Sequence, residues 1–172
     1  MLTAFHLMKY TLISILLLTF LDVSSQKRIS VVKLTDSITL TGMIEKFNAT
    51  MHEVDTCSDS FGNKYICKID QKVWYGSDRG LELPRNQLLW LKIKIKNKNI
   101  HLNVSGMFNP AFEYELSKKQ FKLKNRKSGY ILYSFFSDGA GTYTVYWEIN
   151  NYKSRRILIS TDEKHFSWQL EN

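Results

Sequence analysis

The chain has 172 residues, with 24 Lys and Arg against 16 Asp and Glu, four His and two Cys, and a formal net charge of +8. That length suits one ordinary domain of about 100–150 residues and not two. Two cysteines exclude a disulfide-dense scaffold and a four-thiolate zinc site. An apolar share of 44%, with 13% aromatics, excludes a disordered chain and provides for one core.

Residues 1–25 read as a secretory signal. Lys9 supplies the positive start, 11–20 (TLISILLLTF) is apolar, and Val23 and Ser25 place small residues before a cut after Ser25. The alternative is an uncleaved anchor. A span needs about 20 apolar residues, and Asp22 ends this run. No Cys near the cut offers a lipid anchor. Cleavage leaves residues 26–172 as a single domain, periplasmic or secreted, and the net charge stays the same because Lys9 and Asp22 leave together. An exported protein meets an oxidising medium. Cys57 and Cys67 flank the turn-rich stretch SDSFGNK, and a hairpin there predicts a structural disulfide. The competing reading, a reactive or metal-bound thiol, lacks Cys-x-x-Cys and any His at ligand spacing.

After the leader the dominant period is two. Residues 29–34 (ISVVKL) are β-branched, and 37–45 alternate Ile38 and Leu40 with Thr39 and Thr41. In 64–69, Tyr65, Cys67 and Ile69 fall on one face, with Lys64, Ile66 and Lys68 on the other. Residues 89–96 set Leu89, Leu91, Ile93 and Ile95 against Trp90, Lys92, Lys94 and Lys96, a strand with one wet face. Ile100, Leu102 and Val104 form its hairpin partner. Segments 120–123, 129–136, 142–149 and 154–160, joined by tight turns, predict a C-terminal antiparallel meander. Residues 110–119 allow one short helix, and 161–170 a last strand or helical turn. The expected fold is all-β, an antiparallel sandwich or open barrel with at most one or two short helices. Residues 76–84 (GSDRGLELP) read as a loop between its parts.

Catalytic and metal motifs are sparse. His52, Glu53 and Asp55 cluster ahead of the disulfide, where a solvated loop is the simpler reading than a cation site. Glu113 and Glu115 make a carboxylate pair that more simply serves solubility than glycoside chemistry. The Asp138-Gly139-Ala140-Gly141 run is a hairpin turn, since an anion loop opens a helix. No G-x-S-x-G elbow or H-E-x-x-H appears. No cofactor is expected.

The cations group into Lys118, Lys119, Lys122, Lys124, Arg126 and Lys127, the strand set Lys92, Lys94, Lys96 and Lys98, and Arg155-Arg156. Aromatics beside the first two groups are few, which disfavours single-stranded nucleic acid. The plain role of such residues is solubility and edge protection. The functional alternative is an acidic protein surface or another polyanion. Asn48 and Asn103 stand in N-x-S/T sequons, Asn103 inside an expected strand.

Tyr75-Gly76-Ser77-Asp78, the run 102–110 (LNVSGMFNP), the run 136–143 (FSDGAGTY), Trp147 and Lys153-Ser154-Arg155 together resemble small exported bacterial proteins of immunity type, found beside secreted toxins. The likeness spans about residues 75–159. It implies a non-enzymatic binder that plugs a toxin's active site outside the cytoplasm, and it carries over no site residues.

The leading expectation is an exported protein-binding module. Its contacts are expected from the loop (Trp74, Tyr75, Asp78, Arg79) and the neighbouring wet face (Trp90, Lys92, Lys94), because interface hot spots draw on Trp, Tyr and Arg. Ordinary packing is the alternative for Trp74 and Tyr75. A sandwich or barrel binding a glycan or lipid is the second reading, and a hydrolase with dispersed residues around His101 or His165 the third.

Overall fold

The computed structural model describes residues 27–77, 80–111, 114–136 and 141–169. The leader, Asp78, Arg79, Glu113 and most of the 137–141 turn lie outside the described residues. The strands are β1 (Lys27–Lys33), β2 (Ile38–Lys46), β3 (Val54–Ser58), β4 (Lys64–Ile69), β5 (Lys72–Val73), β6 (Asn86–Ile95), β7 (Lys98–Leu102), β8 (Phe121–Arg126), β9 (Gly129–Phe136), β10 (Tyr143–Asn150) and β11 (Lys153–Ser160). They form three antiparallel sheets, ordered β1-β2-β6-β7, β11-β10-β9-β8 and β3-β4-β5. The fold is all-β, and the second sheet is the C-terminal meander. Helical structure among the described residues is limited to short 3-10 turns, so none is long and apolar enough to cross a membrane.

Alternation decides which faces meet. In β2, Ile38, Leu40 and Ile44 point inward while Thr39, Thr41, Met43 and Glu45 point out. The inward rows of the two four-stranded sheets share one core, in which Leu40, Ile44, Leu91, Ile93, Leu132, Phe136, Tyr143, Val145 and Trp147 have no exposed surface. Each such aliphatic side chain contributes about 1.5–3 kcal/mol relative to exposure. The β7 and β11 edges meet at one corner. There the Trp147 Nε1–H donates to Asn103 O at 3.0 Å, and the Ser154 hydroxyl donates to His101 O.

Three bulges break the simple alternation. Opposite β2, β6 carries an extra residue at Leu89, between pairs Met43–Trp90 and Ile44–Leu88. The bulge shifts the phase, so Leu88 is buried and Leu89 is only half-buried, not a core residue beside Leu91 as the alternation predicted. In β4 the extra residue is Cys67, between pairs Asp55–Lys68 and Thr56–Ile66. Ile66 and Ile69 therefore both face inward instead of lying on opposite faces. Ile157 is the extra residue in β11. Strand β7 ends at Leu102, which puts Asn103 in the following turn and not in a strand. No helix fills 110–119 in the described residues, whose regular piece there is the turn Lys118–Gln120.

The C-terminal tail folds as two turns, Glu163–His165 and Ser167–Gln169. It lies over the outer face of the second sheet. Trp168 is buried 6.0 Å from Tyr133, Phe166 meets Phe135 edge-on at 5.3 Å, and the Tyr146 hydroxyl donates to His165 O at 2.6 Å.

The third sheet has its own small cluster of Phe47, Ile66, Ile69, Trp74 and Phe108. Cys57 and Cys67 are joined across β3 and β4, with Cα atoms 5.6 Å apart and ten positions apart in sequence. A loop of that size contributes about 2–3 kcal/mol. Reduction, or Cys57→Ser with Cys67→Ser, is expected to loosen β3–β5 first. Hydrogen exchange is the check: amides of β3 and β4 lose protection while those of β10 keep theirs. Equal loss in both sheets contradicts a separate third sheet.

Candidate functional site

Cross-strand register builds a continuous outer face on the first sheet. One row runs Ile29–Met43–Trp90, the next Val31–Thr41–Lys92–His101, and the third Lys33–Thr39–Lys94–Asn99. Ile29 and Val31 are 61% and 69% exposed, and Met43 and Trp90 are half-buried. The Lys92 ammonium sits 4.6 Å from the Trp90 ring centroid, a cation–π contact that holds the charge over the aromatic face. Lys27 reaches Glu45 at 3.7 Å and Lys33 reaches Asp36 at 2.8 Å. Among the described residues, neither Lys92 nor Lys94 has a carboxylate within ion-pair distance. No described segment covers this face, whereas the equivalent face of the second sheet lies under the C-terminal tail. The surface is therefore an apolar stripe flanked by cations, the composition that marks interaction sites.

Of the expected contact residues, Trp90, Lys92 and Lys94 come together here. Ile29, Val31 and Met43 join them, and sequence reasoning did not single these out. Alternation alone does not say which face of a β-branched strand stays bare. Trp74 is elsewhere and buried: its Nε1–H donates to Ile66 O at 3.0 Å, and its ring packs edge-on against Phe108 at 5.7 Å. It is a packing residue. Tyr75 is half-buried with its ring 6.0 Å from Tyr143. Asp78 and Arg79 lie outside the described residues.

Around Tyr75, the segments that carried the immunity-type likeness converge. The Tyr75 N–H donates to Gly106 O at 2.8 Å and the Phe108 N–H to Tyr75 O at 3.1 Å. The Asn109 amide donates to Gly76 O at 2.8 Å and accepts from the Arg85 N–H at 2.8 Å. The Tyr143 hydroxyl donates to Phe108 O at 3.0 Å. Arg156 donates from Nη1 to Ser105 O at 2.6 Å. Burial holds its guanidinium below its ordinary value, while the neighbouring Tyr75 and Tyr143 pull the other way. These hydrogen bonds run mainly to backbone, so the constellation is a brace for the 74–77 segment. A cavity of about 500 Å³ opens beside it, lined in part by Tyr65, Trp74, Tyr75, Ser77 and Thr161.

His52 is oriented by Asp70, with Nδ1 and Oδ2 2.8 Å apart, and stacks on Phe47 at 4.7 Å. With Glu53 and Asp55 it was read as part of a solvated loop, a cation site being the lesser alternative. Instead Asp70 is its partner, and Asp70 also accepts the Glu53 N–H at 3.1 Å. The His52 hydrogen bond is the main cause that holds the Asp70 carboxyl below its ordinary range, with burial opposing it. A lowered carboxylate stabilises above its unfolded value, near pH 4, and that stabilisation is lost as pH falls through the lowered one. Asp70→Asn is expected to weaken protection of the β4–β5 turn at neutral pH and to flatten its acid dependence between about pH 5 and 2. An unchanged acid profile contradicts the assignment.

No protein family, no curated protein and no solved structure matches this chain.

Proposed function

We propose that the protein is an exported, non-enzymatic binding module that docks an acidic protein surface through the bare face of the first sheet. The observation that supports it is the register that sets Ile29, Val31, Met43 and Trp90 side by side, with Lys92 and Lys94 at their flank and no described carboxylate within ion-pair distance of either. An apolar centre with a cationic rim favours a partner with an apolar patch ringed by Asp and Glu, since complementary potentials speed encounter and fix register. The disulfide fits an exported chain. The immunity-type likeness makes the partner a secreted toxin whose active site is plugged.

The test is capture from the exported protein fraction of the native host, followed by reconstitution from purified components. Wild type and Lys124→Glu, on the β8 edge, are expected to hold the same acidic protein. The double variant Trp90→Ala, Lys92→Glu is expected to lose at least about tenfold in affinity. Equal retention by the double variant removes this face from the reading.

A small-ligand reading keeps one supporting feature, the cavity beside Tyr65 and Tyr75. Space between the two large sheets is filled by side chains with no exposed surface, so this reading places a glycan or lipid at that rim and not inside the core.

A further inference from the structure

We infer that the free edge of β1 takes up an added strand from the partner, so that the partner docks as an extended acidic segment alongside the apolar face. This rests on the docking reading above and makes its partner more specific.

Sheet edges invite pairing, and proteins blunt them with charges, bulges, short strands or cover. The other edges here are blunted. The β7 edge is closed against β11 through Trp147 and Ser154, and β11 itself carries the Ile157 bulge. Strand β8 bears Lys122, Lys124 and Arg126 along its six residues. Strands β3 and β5 are five and two residues long.

Strand β1 differs from all of these. It pairs with β2 over seven residues in unbroken register. It contains no proline and no bulge, and its centre is apolar, with Ile29 and Val31 as the most exposed large apolar side chains of the first sheet. From Ile29 to Lys33, no described main-chain group outside β2 hydrogen-bonds to the main chain of β1. A strand added there gains main-chain hydrogen bonds from β1 and apolar contact from Ile29 and Val31, the two components of recognition by β-augmentation.

The surroundings specify the guest. Lys27 and Lys33 stand at the two ends of the outward row, exposed, each meeting a single carboxylate and keeping further N–H donors toward solvent. Outward positions of the guest next to them are acidic, and the two between are apolar. On the inner side, the Ser30 hydroxyl accepts the Leu116 N–H at 3.0 Å, so the 114–117 segment lies just beneath the edge. Inward guest positions there must be small. The pattern is acidic, small, apolar, small, apolar, small, acidic. Lys92 and Lys94, two strands away, attract the same acidic sequence before contact.

The defined probe is the peptide ETVSITE, with KTVSITK as its charge-reversed control and two analogues N-methylated on alternate sets of amides. Hydrogen exchange of the intact protein is followed by NMR. ETVSITE at up to millimolar concentration is expected to slow the edge-facing amides within 29–33 by about tenfold or more. KTVSITK is expected to do so at least about tenfold less well. One N-methylated analogue loses binding and the other keeps it, because only alternate amides of an added strand face β1.

The inference is overturned if no β1 amide slows, if both analogues bind like the parent, or if protection appears at β3 or β8. It is also overturned if the protein alone protects β1 with rising concentration, which makes the guest a second copy, or if anionic lipid vesicles protect it and the peptide does not. A partner whose capture depends on Trp90 and Lys92 but leaves β1 amides unprotected overturns the edge and leaves the face standing. ETVSITE protection of β1 alongside partner capture indifferent to Trp90 and Lys92 does the reverse.

Discussion

Gly76→Ala is expected to lower stability by about 3 kcal/mol or more, a Tm loss of about 6–12 °C for a chain of this size. Gly76 has φ +100, a region L side chains rarely adopt, and a Cβ there would lie 2.3 Å from Phe108 O. Neither atom can yield, since Phe108 O already accepts the Tyr143 hydroxyl and the Phe108 N–H is tied to Tyr75 O. Gly141 approaches the same strip from the other side, its Cβ position 2.5 Å from Gly76 C and 2.7 Å from the Ser77 N. Gly141→Ala therefore pushes on backbone too. The two losses are expected to be less than additive, because opening the contact for one methyl makes room for the second. Gly80→Ala is the control, since its Cβ position meets only Glu82 N at 3.9 Å, an ordinary contact. Thermal unfolding by circular dichroism reads the wild type, the three single variants and the Gly76→Ala, Gly141→Ala double variant. A Gly76→Ala protein melting within about 2 °C of wild type contradicts the close packing described for this strip.

The positions of the strands were legible because burial of one face imposes a period of two, and 38–45 and 91–95 carry that period unbroken. The disulfide was legible from a turn-rich stretch between two cysteines in a chain expected to be exported. What failed is instructive in physical terms. Leu88 and Leu89 are both leucine, and nothing local distinguishes the one that enters the core from the one a bulge ejects. The bulge arises in the pairing with β2, more than forty residues earlier in the chain. Ile66 and Ile69 were split between faces for the same reason. The covered and bare faces were equally hidden. Ile29, Val31, Tyr133 and Phe135 all alternate correctly, and only the path of the tail through Phe166 and Trp168 shows which pair is covered. Trp74 and Tyr75 were noticed for their size and expected beside the Trp90 face, but Trp74 is buried elsewhere and spends its indole N–H on Ile66 O. Trp90, Lys92 and Lys94 were found because cations recurring at every second position can only lie on a wet face.

On the proposed face, the aromatic and the cations are expected to act on different rate constants. Trp90→Ala removes apolar area and the support under Lys92, so complexes with the captured partner should dissociate at least about tenfold faster with little change in association. Lys94→Glu lies two rows from Trp90 and reverses an exposed charge that has no described carboxylate within ion-pair distance. It should slow association several-fold and reduce its dependence on salt, because exposed charges act mainly by long-range attraction that salt screens. Lys92→Glu should do both, since its ammonium belongs to the field and also rests 4.6 Å from the indole centroid. Trp90→Ala and Lys92→Glu combined should then show a coupling of about 0.5–1 kcal/mol, whereas Trp90→Ala and Lys94→Glu should add. Surface plasmon resonance at two salt concentrations resolves these terms. Should all three variants change association alone, the apolar row is never desolvated in the complex. The face would then be a steering surface, with the contact that holds the partner located elsewhere.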